Sequence, residues 1–167
     1  PRAARRAPRA PPAQVRDQKA LARKCKQKHG FLDSYSFGVR YEVYKRFHDT
    51  PRVQLRATDL IPGPPGADLD ELTLRSVFCL CPSGTGWGMR AFHAVALGCI
   101  PVIVQDDGSE RYPSVLQAFE GLLLDWSAFS VRLRFADLPQ LPAILRQIEA
   151  DPVQMQAKRA GLAAVFP

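Results

Sequence analysis

The chain has 167 residues, enough for one domain with a sizeable core, and 46% of them are hydrophobic. No apolar run approaches the ~18 residues of a membrane-spanning helix, and four cysteines at these spacings do not make a disulfide scaffold. The net charge of +7 is uneven: residues 1–30 hold ten Lys and Arg against one Asp, a charge of +9, so residues 31–167 carry −2.

Residues 1–30, PRAARRAPRAPPAQVRDQKALARKCKQKHG, read as a basic disordered or linker segment, because Pro, Ala and Arg at this density cannot bury a core. The segment could touch phosphates or anionic lipid, or serve as a solvated linker. No aromatic residue interleaves its charge and residues 31–167 carry no basic excess, so nucleic acid is not an expected partner. No secretory signal peptide is evident, and the chain opens on Pro1, so a fragment of a longer protein is expected. Residues 31–167 are expected to form one domain.

In YSFGVRYEVYKRFH, residues 35–48, Val39, Val43 and Phe47 recur every four positions and predict an amphipathic helix. RVQLRA, residues 52–57, alternates and predicts a short strand. IPGPPG is a loop, and ADLDELTLRS opens with the acidic residues that suit a helix N-terminus. VFCLC, residues 77–81, is a continuous apolar run, as in a parallel strand covered on both faces. WGMRAFHAVAL predicts a helix from about Gly88 to Leu97, with Met89, Phe92 and Ala96 on one face and Gly98 as its stop.

IPVIV, residues 100–104, is a second buried strand. LLLDW and FSVRL predict a short element and a strand. LPQLPAILRQIEA and PVQMQAKRAGLAAVF predict amphipathic helices. Cys79, Cys81 and Cys99 read as small buried apolar residues; Cys79 and Cys81, two apart on one strand, would strain to bridge each other. No zinc spacing is present, and no metal is expected. Strands alternating with helices predict an α/β class: a Rossmann-like parallel sheet of about four or five strands, with helices on both faces.

The loop after VFCLC lies at the carboxyl edge of such a sheet, where open α/β sheets bind ligands. Gly84, Gly86 and Gly88 let backbone N–H groups approach a ligand, Ser83 and Thr85 add hydroxyls, and the following helix aims its N-terminus at the same point. Arg90, in the first turn, can fork onto phosphate oxygens, and the set fits a diphosphate. A plain structural turn needs glycines too, and the Walker spacing is absent. Asp106 and Asp107, ending the second strand, could cap a turn, bond sugar hydroxyls or hold a metal. Glu120 could accept from ribose hydroxyls or start a helix. His93 shares a helix face with Arg90 and either looks into the cleft or is a satisfied structural residue. Arg132 stands outside this set.

YSFGVR, SVFCLCP, SGTGWGMR, GCIPVIVQDD, AFE and LDWSAFSVRL, in this order, resemble the exostosin-like glycosyltransferases, family 47, in the plant and algal type with a Gly-Trp-Gly loop. The resemblance runs from about Ser34 to Glu149. It departs at His93, where many members have Glu, and at Ala118, where proline is usual. It implies the C-terminal, nucleotide-sugar-binding half of a GT-B fold, with Ser83, Gly84, Thr85, Gly86 and Arg90 at the diphosphate and Glu120 at the ribose or sugar.

The resemblance further implies inverting transfer from a nucleotide sugar, expected to be a UDP-sugar, to a glycan or glycoprotein acceptor. The UDP-sugar is a substrate, and no cofactor is expected. The base and most acceptor contacts are expected on a missing N-terminal domain or across the cleft, leaving this chain inactive alone. The full-length protein is expected on the lumenal side of the Golgi membrane, tethered by an upstream anchor. The alternative is a nucleotide-binding Rossmann-like module without catalysis.

Overall fold

The computed structural model describes residues 35–55, 68–82, 88–104, 106 and 117–166. The expected basic segment, residues 1–30, and the IPGPPG loop lie outside them. The first described element is a short 3-10 turn, Tyr35–Gly38, which leads into helix α1, Val39–Phe47. Val39, Val43 and Phe47 are its buried residues, as their four-residue spacing predicts. RVQLRA differs from expectation: Arg52 sits in a turn at φ 68°, and Val53–Leu55 join no strand. A left-handed residue reverses the chain, so local alternation there does not extend into a ladder.

Helix α2, Leu69–Leu74, starts on Asp68, whose side chain accepts from the Asp70 N–H at 2.9 Å. Strand β1, Phe78–Pro82, then leads by way of helix α3, Met89–Ala96, to strand β2, Ile100–Val104. Helix α4, Trp126–Phe129, precedes strand β3, Val131–Leu133. A 3-10 stretch, Phe135–Gln140, runs into helix α5, Leu141–Ala150, and the described chain closes on helix α6, Pro152–Val165.

Among the described residues the sheet has three strands, where four or five were expected, in the order β1-β2-β3. Both pairings are parallel, with Phe78 opposite Ile100 and Val102 opposite Val131. All five residues of β2 are buried. Alternate side chains point to opposite faces of a strand, so this sheet is covered on both. The class is α/β, a parallel sheet flanked by helices, as in a Rossmann-like half of a GT-B fold. Helix α3 packs on β1 and β2, and α6 packs on α4 and β2.

The apolar face of α3 is not the expected one. Ala91, Ala94 and Val95 are buried, whereas Met89 is 70% exposed. Small side chains let the helix approach the sheet closely, so volume ranks the face wrongly here. The helix stops as expected at Gly98, at φ 72°: Gly98 N–H bonds Val95 O and Cys99 N–H bonds Ala94 O, a Schellman ending.

The cysteine reading is also corrected. Cys79 and Cys99 form a disulfide, with their Cα atoms 5.9 Å apart across the β1–β2 pair. Cys81 alone of the three is a free thiol; burial pushes it up to about 12, so it is inert as a nucleophile.

Candidate functional site

The parallel β1–α3–β2 unit sets the start of α3 at the carboxyl edge of the sheet. Gly88 caps it at φ 71°, without a side-chain cap. The first-turn N–H groups of an α-helix have no partner within the helix, and they carry the positive end of its dipole. Ser83, Gly84, Thr85 and Gly86, the predicted phosphate loop, lie outside the described residues, as does Asp107.

Arg90 is a cation in the first turn of α3, where the dipole disfavours it. Two neighbours hold it. Its Nη2 donates to Thr73 Oγ1 at 3.4 Å, and its Nη1 lies 3.0 Å from His93 Nδ1. His93 Nε2 in turn lies 2.7 Å from Asp70 Oδ1. Thr73 donates to Leu69 O at 2.8 Å. Of the two readings of His93, the structure gives the satisfied one: both ring nitrogens have partners.

Asp106, 9% exposed, places both carboxylate oxygens on the Phe135 N–H, at 3.0 and 3.1 Å. It thus ties the end of β2 to the segment after β3, across 29 residues of chain. Glu120 starts no helix. It sits in a turn, bridged to Leu124, and its Oε2 accepts from the Gln117 N–H at 2.7 Å. Its Oε1 is paired with Arg132 Nη1. Arg132 therefore belongs beside the predicted site and not outside it.

The Glu120 turn borders α3. A Cβ on Gly88 would stand 3.6 Å from Gln117 Oε1. The Phe92 ring meets Phe119 and Trp126 edge to face, with centroids 6.5 and 5.3 Å apart. Trp126 is fully buried and donates to Ala118 O at 2.9 Å, which anchors the turn. The elements bearing Arg90 and Glu120 are neighbours, yet the two side chains are held by different partners: Arg90 by α2 and His93, Glu120 by β3. Asp70, Thr73 and Arg132 escaped the sequence reading. Asp70 carried only the signal of a helix-start acid, and nothing local marks the other two.

The Exostosin GT47 domain family matches residues 11–148. This chain belongs to the exostosin GT47 family. Within the family, it is 32% identical over 120 residues to a protein of Oryza sativa subsp. japonica named probable glucuronosyltransferase, covering 71% of this chain and 25% of that protein. A second protein of that organism and description is 35% identical over 118 residues, 70% of this chain and 25% of its own. A protein of Arabidopsis thaliana named probable beta-1,4-xylosyltransferase is 30% identical over 118 residues, with the same coverage. The chain thus spans about a quarter of the length of the curated relatives it matches. No solved structure matches it.

Proposed function

We propose that this exostosin GT47 chain is the nucleotide-sugar-binding half of an inverting GT-B glycosyltransferase. The donor is a UDP-sugar and the acceptor a glycan or glycoprotein. The observation that carries the reading is Arg90 in the first turn of α3, at the carboxyl edge of a parallel strand. A cation is unfavourable at that helix position unless an anion joins it, and a diphosphate is such an anion. Ser83, Gly84, Thr85 and Gly86 would offer further donors to the same oxygens. Asp107 and Glu120 would serve the sugar or ribose hydroxyls, while Asp106 holds Phe135 and shapes the edge.

In the transfer, an acceptor hydroxyl attacks the anomeric carbon and loses its proton to a base. The bond to the diphosphate oxygen breaks, and Arg90 with the loop N–H groups would stabilise the leaving charge. Both described carboxylates of the set, Asp106 and Glu120, already hold partners. This favours a base supplied from another domain, and nucleotide binding without transfer by this chain alone. Tethering on the lumenal side of the Golgi membrane fits the Cys79–Cys99 disulfide, since such bonds persist in oxidising compartments.

Calorimetric titration of UDP at fixed salt tests the reading. Arg90→Ala should weaken binding by about 1.5–3 kcal/mol, the range for a charged hydrogen-bond partner. Arg146→Ala, exposed on α5, is the control and should bind as the parent does. Thermal melts of each variant establish that it folds. Equal affinity of the parent and Arg90→Ala would remove the diphosphate role.

A further inference from the structure

We infer that Asp70 and His93 form a positioning relay that presets the Arg90 guanidinium and couples its direction to the protonation of His93. The inference rests on the reading that Arg90 binds the donor diphosphate, and it names a regulation of that site.

A guanidinium can only donate, so at 3.0 Å from Arg90 Nη1 the His93 Nδ1 must offer a lone pair. Neutral imidazole then carries its proton on Nε2, which donates to Asp70 Oδ1 at 2.7 Å. Asp70 accepts, and its place at the start of α2 is fixed by its own N–H bond to Asp68. The chain Asp70–His93–Arg90 therefore has one consistent direction of hydrogen bonding, and Asp70 selects the tautomer that Arg90 needs.

Thr73 holds the other arm of the fork, at 3.4 Å. Two of the five guanidinium N–H groups are thus engaged and three remain for phosphate oxygens. Protonation of His93 puts a hydrogen on Nδ1, facing a guanidinium N–H. The Arg90 bond is then lost, like charges meet, and the Asp70 pairing becomes an ion pair. Acidification therefore releases Arg90 from its preset direction.

Few other titratable groups of the described residues face this ring. On α3 itself it is Arg90, and on α2 it is Asp70, whose neighbours Glu71 and Arg75 pair with each other. Under the Arg90 carbonyl β1 offers the buried Cys81 thiol, while β2 has no titratable side chain. The turn on the Phe92 flank has Glu120, which Arg132 already holds.

Two readouts test the relay. The first is the imidazole nitrogen spectrum of the 15N-labelled chain, with His93 assigned by its loss in His93→Gln. In the neutral ring it should show the proton on Nε2. The second is UDP-glucose affinity by calorimetry between about pH 7.5 and pH 5.5, the range in which histidines titrate; the diphosphodiester of this probe does not. The parent should bind roughly tenfold more weakly at the acid end, the equivalent of one charged hydrogen bond, and His93→Gln should lose that pH dependence while keeping its fold.

A neutral His93 with the proton on Nδ1 overturns the relay whether or not the nucleotide binds. So does a parent-like pH profile in His93→Gln when binding depends on Arg90. Absent binding, or binding indifferent to Arg90→Ala, overturns the donor reading instead, and leaves the relay to the tautomer.

Discussion

Trp126 anchors the turn beside the candidate site. It is fully buried, meets Phe92 and Phe129, and satisfies the Ala118 carbonyl. Trp126→Phe keeps an aromatic ring but leaves that carbonyl unpaired, and should cost about 1–3 kcal/mol. Trp126→Ala also opens a cavity and should cost about 3–5 kcal/mol, both read from urea melts. At this scale the site was half legible. The residue types at Arg90, Asp106 and Glu120 announced charge at a sheet edge. Their long-range partners, the Phe135 N–H for Asp106, Arg132 for Glu120 and Thr73 for Arg90, lie 29, 12 and 17 positions away in the chain, and no local pattern encodes such pairings.

The helices and strands were more legible, because burial on both faces leaves a mark that needs no partner. VFCLC and IPVIV became β1 and β2 with nearly their expected bounds, and α3 fell inside its expected span. RVQLRA failed because four to six alternating residues fit a turn as well as a strand. The α3 face failed because alanines, and not the largest side chains, meet the sheet. Gly161 shows the same close approach between α6 and α4. A Cβ there would stand 2.8 Å from Ala128 O, a backbone atom that cannot swing aside. Alanine gains about 1 kcal/mol over glycine in a helix interior, but overpacking of this kind costs about 1–3 kcal/mol. Gly161→Ala should therefore lower the melting temperature, although helix propensity alone predicts a rise.

Across the whole molecule, acid should destabilise the protein through its ion-paired and capping carboxylates. The Lys45 side chain holds the Glu42 carboxyl below its usual range, and hydrogen bonds do so for three aspartates: from Ser127 to Asp125, from the Arg134 N–H to Asp137, and from the Gln154 N–H to Asp151. A depressed folded-state value means that the unfolded chain takes up these protons first. The stabilisation is present above the ordinary carboxylate range and is lost as pH falls through the lower, folded values. Urea midpoints should be flat above about pH 5 and drop steadily below about pH 4; a midpoint that rose on acidification would contradict the sign. The Cys79–Cys99 bond acts at this scale too. It closes the chain from β1 through α3 into a covalent ring, with the candidate phosphate loop inside it. A single cut by a protease anywhere in that ring leaves both halves on one molecule, so a nicked sample runs as one band without reductant and as two with it.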